Sequence, residues 1–332
     1  MVKTYKINLN KLLNNKGIAF LKLIRIENLI MIALTQILLR YFVLQKILNQ
    51  NNIQLELNNG LFYLVVLSTV LIAAAGYIIN DYFDMKTDLI NHPDTVVVGK
   101  IIKRRLAIIM HIVFTFLGIV IGMYAALRTG YLRLAIFHIV AATLLWFYST
   151  HFKKQLLVGN LTVSLLTAAV AFMPFVYEMG LMQKIHPGFA LMHKEVVLSC
   201  FKITFIFSLF AFITSLAREI IKDMEDYKGD KATGGQTMPI VWGIQASKLN
   251  VFFLIVISVI LLSFVIYNTF KFYRIIINQN NIYIIVALII PLIILAIITL
   301  KAKESKQFKN ASLLLKFIML MGLAYSFIFY FN

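Results

Sequence analysis

The sequence predicts an all-α membrane protein, a polytopic bundle of nine transmembrane helices. Hydrophobic residues make up 61% of its 332 positions and charged residues only 14%, whereas a soluble domain is about half apolar and about a quarter charged. The apolar residues also fall in runs long enough to cross the hydrocarbon layer of a bilayer, which takes about 20 helical residues. We therefore expect an integral, multi-pass membrane protein with the lipid bilayer as its surroundings.

Nine apolar segments define the predicted helices, and they leave room for only one domain, residues 1–332. The segments are residues 18–45, 61–83, 106–127, 131–150, 156–177, 196–220, 239–268, 281–300 and 311–331. The first is expected to be a retained helix, because no small-residue cleavage site follows a short apolar core as in a signal peptide. Pro174 and Pro291 lie inside apolar segments and are expected to kink their helices.

The distribution of positive charge predicts the orientation of the chain. Its net charge is +18. With these helices, eighteen lysines and arginines fall on the side of the amino terminus and seven fall on the opposite side. Cytoplasmic loops are the ones enriched in these residues, so the amino terminus and the loops after the second, fourth, sixth and eighth helices should be cytoplasmic. Attraction to anionic lipid headgroups explains the charge better than nucleic acid, which is not an expected partner.

Two aspartate clusters end the second and sixth predicted helices. They read NDYFDMKTD (80–88) and DMEDYKGD (223–230), and spacings of three and four residues stack side chains on one helical face. Nine of the 14 acidic residues lie in or beside them: Asp81, Asp84, Asp88, Asp94, Glu219, Asp223, Glu225, Asp226 and Asp230. The single cysteine, Cys200, excludes a cysteine-built metal site. Stacked carboxylates repel one another, and oxygen ligands suit Mg²⁺ with a substrate phosphate, so we predict a magnesium–diphosphate site.

Both clusters resemble the aspartate motifs of the UbiA-type intramembrane prenyltransferases, N-D-x-x-D-x-x-x-D and D-x-x-D-x-x-x-D. The resemblance implies that Mg²⁺ is bound by Asn80, Asp84, Asp88, Asp223 and Asp226, with Asp81 and Asp230 close by. It implies a polyprenyl diphosphate as donor, with its tail in a groove among the helices, and Asp84 and Asp223 as catalytic residues. Metal ions would neutralise the departing diphosphate, so that the allylic C–O bond ionises and a lipophilic acceptor captures the cation.

Basic and amide side chains near the motifs are candidates for binding the substrates. Fixed positive charge would assist departure of the diphosphate, which makes Lys153, Arg218 and Lys222 candidate catalytic residues. The candidate substrate-binding residues, including two amides that the resemblance adds, are Asn28, Lys153, Lys154, Asn160 and Lys222. Positive-inside topology would by itself also account for Lys153 and Lys154. Glu219 could pair with Lys222 at the interface and stays unassigned.

Two segments resemble one branch of the family, the digeranylgeranylglyceryl phosphate synthases. They are LAREIIKDMEDYKGD, followed by TMPIVWG, and YSTHFKKQLLVGN, in which Tyr148, Lys153 and Gly159-Asn160 correspond. The branch implies geranylgeranyl diphosphate as donor and geranylgeranylglyceryl phosphate as acceptor, whose free hydroxyl would attack the prenyl cation. An aromatic quinone precursor, of the 4-hydroxybenzoate or dihydroxynaphthoate type, is the alternative acceptor.

One loop departs from the family pattern. After the first motif the family usually has N-R-P-x-R-P-I-x-S-G, whereas this chain has NHPDTVVVGK over residues 91–100, with His92 and Thr95 in place of arginines. The cations that could compensate, or could equally form a topogenic patch, are Lys100, Lys103, Arg104 and Arg105. The departure therefore leaves open how a phosphate-bearing acceptor is held.

A membrane transporter is the alternative from another functional class, because intramembrane carboxylates are expected there too. Transporter sites lie near the middle of the bilayer, often at broken helices. Both clusters here lie at helix ends on one predicted face, which favours prenyl transfer over transport.

Overall fold

The computed structural model describes residues 16–273 and 278–331, in which nine helices are long and apolar enough to cross a membrane. In chain order the helices are α1 Lys16–Leu23, α2 Ile26–Asn49, α3 Asn59–Asn91, α4 Arg104–Arg128, α5 Ala135–Thr150, α6 Val158–Ile185, α7 Phe189–Met192, α8 Lys194–Glu225, α9 Tyr227–Ala232, α10 Met238–Val241, α11 Gly243–Tyr273, α12 Gln279–Lys301 and α13 Ser305–Phe331. The only β-type pairing in the described chain is one bridge between Val98 and Ile102. The prediction of an all-α bundle of nine spanning helices is therefore confirmed.

The predicted ends of the second and sixth helices, at residues 83 and 220, are wrong. Helix α3 continues to Asn91 and helix α8 to Glu225, so the first aspartate cluster and Asp223 lie within helices rather than in loops. Apolar character ends where the hydrocarbon layer would end, but backbone hydrogen bonding carries both helices beyond it. The clusters are therefore held on rigid backbone.

The first predicted helix, residues 18–45, is not continuous. It is divided between α1 and α2 at Arg25, which has left-handed backbone angles (φ 52°, ψ 56°). Its second part contains a π-helical turn, Leu39–Leu44, and a second π-helical turn, Ile284–Ile289, directly precedes the α-helical segment with Pro291. Pro174 lies inside α6, and the kinks expected at both prolines remain predictions. The amino-terminal residues whose lysines contribute to the predicted orientation, 1–15, lie outside the described range.

Small residues and a buried polar network join four helices inside the apolar bundle. Ser68 of α3 donates to the carbonyl of Gly118 in α4 (2.6 Å) and contacts Nδ1 of His138 in α5 (2.8 Å). The other ring nitrogen of His138 lies 2.9 Å from the hydroxyl of Tyr177 in α6. A Cβ at Gly122 would lie 2.5 Å from the His138 ring, so this close approach requires glycine.

A fully buried ion pair closes the end of the bundle opposite to the aspartate clusters. Nε of Arg40 lies 3.5 Å from Oε2 of Glu178, and neither side chain is exposed. Oε1 of Glu178 accepts from the backbone N–H groups of Glu56 (2.6 Å) and Leu57 (3.0 Å), and Arg40 donates to Oδ1 of Asn59 (3.1 Å). The pair thereby fixes the loop between α2 and α3 against α6.

Replacement of Glu178 by glutamine should destabilise the protein, because the buried Arg40 guanidinium loses its counter-charge. Removing one partner of a buried pair typically costs about 3–5 kcal/mol of unfolding free energy. Thermal unfolding in detergent should show a clearly lower Tm for Glu178→Gln. The exposed Glu195→Gln, at the start of α8, serves as the control and should unfold like the unmutated protein. Equal Tm values for both variants would contradict this role.

Candidate active site

The two aspartate clusters meet at one end of the bundle. The hydroxyl of Thr87, in α3 between Asp84 and Asp88, lies 3.0 Å from the hydroxyl of Thr233. Nε2 of His92, just beyond α3, lies 2.8 Å from Oδ1 of Asp226, which follows α8. These contacts join residues that are 134 and 146 positions apart in the sequence. The expected juxtaposition of the clusters is therefore present in the fold.

The side-chain amide of Asn91, the last residue of α3, forms a clasp of two hydrogen bonds with the backbone of the second cluster. Its Nδ2 donates to the carbonyl of Asp226 (3.0 Å), and its Oδ1 accepts from the N–H of Gly229 (2.8 Å). A Cβ on Gly229 would lie 2.5 Å from the Asn91 amide, so this position requires glycine. No local sequence pattern predicts a role for Asn91, which stands out only as an amide residue near the end of the helix that carries the first motif.

Asp84 is the buried centre of the first cluster. Its Oδ2 accepts from Nδ2 of Asn80 (2.6 Å) and forms an ion pair with Nζ of Lys153. Burial, the largest single influence, would lower the pKa of Lys153, but the charge and hydrogen bond of Asp84, together with Tyr148 and Asp88, raise the pKa above its usual value. The ammonium therefore stays charged beside Asp84. Asp81 is held separately, by Nη2 of Arg25 at 2.9 Å.

The second cluster is surrounded by amide and imidazole groups. Oδ2 of Asp223 accepts from Nδ2 of Asn160 (2.8 Å), which brings a predicted substrate-binding residue to a predicted metal ligand. Burial would raise the pKa of Asp226, but the hydrogen bond with His92 and the charge of Lys222 lower it. The same hydrogen bond raises the pKa of His92. Burial raises the pKa of Asp230 to about 6, so this carboxyl is mostly ionised at neutral pH.

Glu219, which the sequence analysis left unassigned, holds the two predicted diphosphate-binding cations of α8. Its carboxylate oxygens lie 3.3 Å from Nη1 of Arg218 and 3.8 Å from Nζ of Lys222. Nε of Arg218 is buried and has no hydrogen-bond partner among the described residues. The Arg218 guanidinium therefore keeps one N–H group that no described residue accepts.

Two predicted substrate-binding residues do not reach the clusters. The side chain of Lys154 is exposed. Its backbone carbonyl accepts a hydrogen bond from the N–H of Gln236 (2.8 Å). Asn28 is half-buried in the first turn of α2, and its backbone N–H bonds to the carbonyl of Arg25 (2.8 Å). Their assignment to substrate stays a prediction.

Backbone strain is concentrated around the site. In the described chain only Arg25, Asn52 and Leu157 have positive φ without being glycine, and two of the three flank the clusters. Arg25 directs its guanidinium to Asp81, and Leu157 (φ 62°) directly precedes α6 and its Asn160. Such conformations cost about 1–3 kcal/mol each and persist only where the surroundings enforce them. The strain therefore marks positions where the fold holds site residues in a set geometry.

The donor atoms fit Mg²⁺, although the described residues contain no group of three histidine, cysteine, aspartate or glutamate side chains close enough to enclose a metal ion. Oδ1 of Asn80 is buried without a hydrogen-bond partner in the described structure and belongs to the amide that contacts Asp84. Mg²⁺ commonly takes only one or two carboxylates and completes its octahedron with water and substrate phosphates. The unpartnered Oδ1 of Asn80 beside the buried carboxylate of Asp84 provides such a partial set of ligands, which water and substrate phosphate would complete.

Comparison with known proteins finds similarity along most of the chain. Residues 53–322 match the model of the UbiA prenyltransferase family. The digeranylgeranylglyceryl phosphate synthase of Methanothermobacter thermautotrophicus is 33% identical over 189 residues, which cover 56% of this chain and 58% of that protein. The synthase of Sulfurisphaera tokodaii is 31% identical over 242 residues, 72% and 74% of the two chains. The chain thus spans about three fifths of the first relative and about three quarters of the second.

Two solved structures share the fold. A structure of digeranylgeranylglyceryl phosphate synthase superimposes with a TM-score of 0.62 at 24% identity, covering 93% of this chain and 96% of the other. A UbiA homologue from Archaeoglobus fulgidus, bound to GPP and Mg²⁺, gives a TM-score of 0.54 at 17% identity, with 95% and 100% covered. At these identities the likeness concerns the fold.

Replacing Asn91 by alanine should weaken divalent-metal binding, because the clasp that sets the distance between the clusters is lost while every predicted ligand remains. We expect the dissociation constant of Mn²⁺, measured by electron paramagnetic resonance as a probe for Mg²⁺, to rise about tenfold, the effect typical of lost outer-sphere support. Asn278, at the start of α12, provides a matched control as Asn278→Ala, which should bind Mn²⁺ like the unmutated protein. Unchanged Mn²⁺ affinity in Asn91→Ala would show that the clasp does not position the ligands.

Proposed function

Because the chain belongs to the UbiA prenyltransferase family, we propose that it transfers a prenyl group from a polyprenyl diphosphate to a lipophilic acceptor with the help of Mg²⁺. The observation that carries this proposal is the contact between the two aspartate clusters at one end of the bundle. A diphosphate carries negative charge, so its binding between carboxylates requires cations on both sides. The clusters with Lys153, Arg218 and Lys222 meet that requirement.

The residues proposed to hold Mg²⁺ are Asn80, Asp84, Asp88, Asp223 and Asp226, with Asp81 and Asp230 close by. When bound, the metal would neutralise the charge that develops on the departing diphosphate. Lys153 contacts Asp84 in the first cluster. Arg218 and Lys222 pair with Glu219 in the last turns of α8, directly before the second cluster. These fixed cations would bind the diphosphate oxygens without reorganising during the reaction.

The proposed reaction breaks the bond between C1 of the prenyl chain and the diphosphate oxygen, and the electron pair leaves with the diphosphate. The acceptor oxygen forms the new bond to C1 and loses its proton. Allylic cations react readily with water, so the surroundings of C1 must be apolar. The apolar residues of the spanning helices would provide such surroundings for the prenyl tail.

For the substrates we propose geranylgeranyl diphosphate as donor and geranylgeranylglyceryl phosphate as acceptor, which would place the protein in ether-lipid synthesis. The support is the name shared by the relatives that are about 30% identical to this chain. An aromatic quinone precursor is the second candidate acceptor, because His92 and Thr95 replace the arginines of the family loop. The family membership and the position of the carboxylates at helix ends leave transport without support.

We propose that the site faces the cytoplasm. The side of the bundle with the clusters carries eighteen lysines and arginines of the predicted loops, against seven on the other side. This excess matches the rule for cytoplasmic loops. A soluble diphosphate product would then be released into the cytoplasm.

The purified protein should release diphosphate from geranylgeranyl diphosphate when Mg²⁺ and geranylgeranylglyceryl phosphate are present. Asp84→Ala and Asp223→Ala should each lower the rate about a hundredfold or more, since metal neutralisation contributes several kcal/mol to the transition state. Asp94→Ala, an exposed carboxylate on the adjoining loop, is the control and should keep the full rate.

A panel that adds 4-hydroxybenzoate and dihydroxynaphthoate, with mass spectrometry of the products, tests the acceptor. A prenylated product from an aromatic acceptor alone would refute the glycerol-lipid assignment and leave the enzyme class standing. Absence of diphosphate release from the unmutated protein with every acceptor would refute the proposed function.

A further inference from the structure

A polar cavity adjoins the first aspartate cluster. Its volume is about 250 Å³, smaller than the roughly 300–1,000 Å³ of pockets that enclose a whole drug-sized ligand, so it suits a headgroup. It is lined by Lys22, Arg25, Asp81, Asp88, His92, Thr95, Val96, Val97 and Val98. Asp84 and Asp223 do not line it, whereas Asp88, a proposed metal ligand, does, so the cavity directly adjoins the proposed diphosphate position.

The wall of this cavity is the loop in which the chain departs from the family pattern. His92 and Thr95, which replace the expected arginines, both line it. The His92 ring is bound to Asp226 at 2.8 Å, and the Thr95 hydroxyl donates to the His92 carbonyl at 3.1 Å. Lys100, a candidate to compensate, instead donates to the carbonyl of Pro93 at 2.7 Å. The loop therefore offers the cavity no arginine.

The positive charge in the cavity comes instead from Lys22 of α1 and from Arg25, between α1 and α2. Arg25 is held by Asp81 at 2.9 Å and lies over the ring of Tyr77, 4.9 Å from its centroid. The side chain of Lys22 is exposed on the cavity side and forms no ion pair or hydrogen bond with any described residue. Partial burial lowers its pKa, while the charge of Asp81 raises it and that of Lys309 lowers it further. The left-handed turn at Arg25, which ends α1, brings both cations to the same cavity.

We infer that this cavity binds the phosphate of a phosphate-bearing lipid acceptor, with Lys22 as the cation that recognises it. The inference rests on the proposed function, because it names the place of one substrate group. In geranylgeranylglyceryl phosphate the reacting hydroxyl and the phosphate are on neighbouring glycerol carbons. Its phosphate must therefore bind directly beside the reaction centre, and the cavity shares Asp81 and Asp88 with the first cluster.

Lys22 acts as a specificity-determining residue in this arrangement. A phosphate monoester is close to doubly charged at neutral pH, and a lysine ammonium binds phosphate as a point charge. Of the cavity's other cationic groups, Arg25 is engaged by Asp81 and His92 by Asp226. Loss of the Lys22 charge should thus affect recognition of the acceptor phosphate more than binding of the prenyl diphosphate.

The test compares two acceptors that differ only in the phosphate, geranylgeranylglyceryl phosphate and geranylgeranylglycerol. Lys22→Met, which keeps the apolar stem, should lower the preference for the phosphorylated acceptor, measured as the ratio of kcat/KM values, about tenfold, as expected for one lost charge-assisted contact. Lys22→Arg should retain most of the preference. Lys16→Met, an exposed lysine in the same helix that does not line the cavity, is the matched control and should not change it.

Direct binding of geranylgeranylglyceryl phosphate in detergent, measured without the prenyl diphosphate, separates this inference from the proposed function. Weaker binding to Lys22→Met than to Lys16→Met supports the phosphate site even if no glycerol lipid is prenylated. Equal binding to the two variants, or an equal loss of activity with both acceptors, would overturn the inference. Prenylation of an aromatic acceptor alone by the unmutated protein would refute the proposed substrate, and the binding comparison would still decide the cavity's role.

Discussion

Repulsion among carboxylates is the constraint on which the rest of the site depends. Two helices and a short segment bring six aspartates to one end of an otherwise apolar bundle. Four of the six have a compensating group from a distant element: Lys153 for Asp84, Arg25 for Asp81, Asn160 for Asp223 and His92 for Asp226. These contacts stabilise the folded state, while the unpartnered oxygen of Asn80 keeps a place for a divalent cation.

The fold brings these compensating groups to the carboxylates by means of strained backbone and close packing. Left-handed residues at Arg25 and Leu157 precede the helices that flank the clusters. Gly159 packs on the backbone of Lys153, where a Cβ would lie 2.9 Å from Cα, and Gly229 packs on Asn91. Because those glycines allow neighbouring segments to approach, the cations and amides reach carboxylates on different helices. The buried pair of Arg40 and Glu178 then secures the other end of the bundle.

Most of the fold could be predicted from the sequence, because long apolar runs leave few alternatives to spanning helices. The aspartate clusters could be predicted as well, because their spacing is local. The helix ends at Asn91 and Glu225 could not, since hydropathy marks the membrane boundary and not the last backbone hydrogen bond. The Asn91 clasp spans 138 residues of sequence and leaves no local pattern. Lys153 and Lys154 are adjacent and chemically alike. Only the tertiary fold determines that Lys153 pairs with Asp84 whereas Lys154 is exposed.

The central claim is that both clusters form one site, and a cysteine cross-link between them tests it most directly. Thr87 and Thr233 have hydroxyls 3.0 Å apart, and the natural cysteine, Cys200, is buried. Mild oxidation of the Thr87→Cys/Thr233→Cys variant in membranes should give a nearly complete intramolecular disulfide, and Thr87→Cys/Thr129→Cys, which joins opposite ends, should give none. Failure of the first pair to cross-link while both cysteines remain reactive to a maleimide would contradict the account.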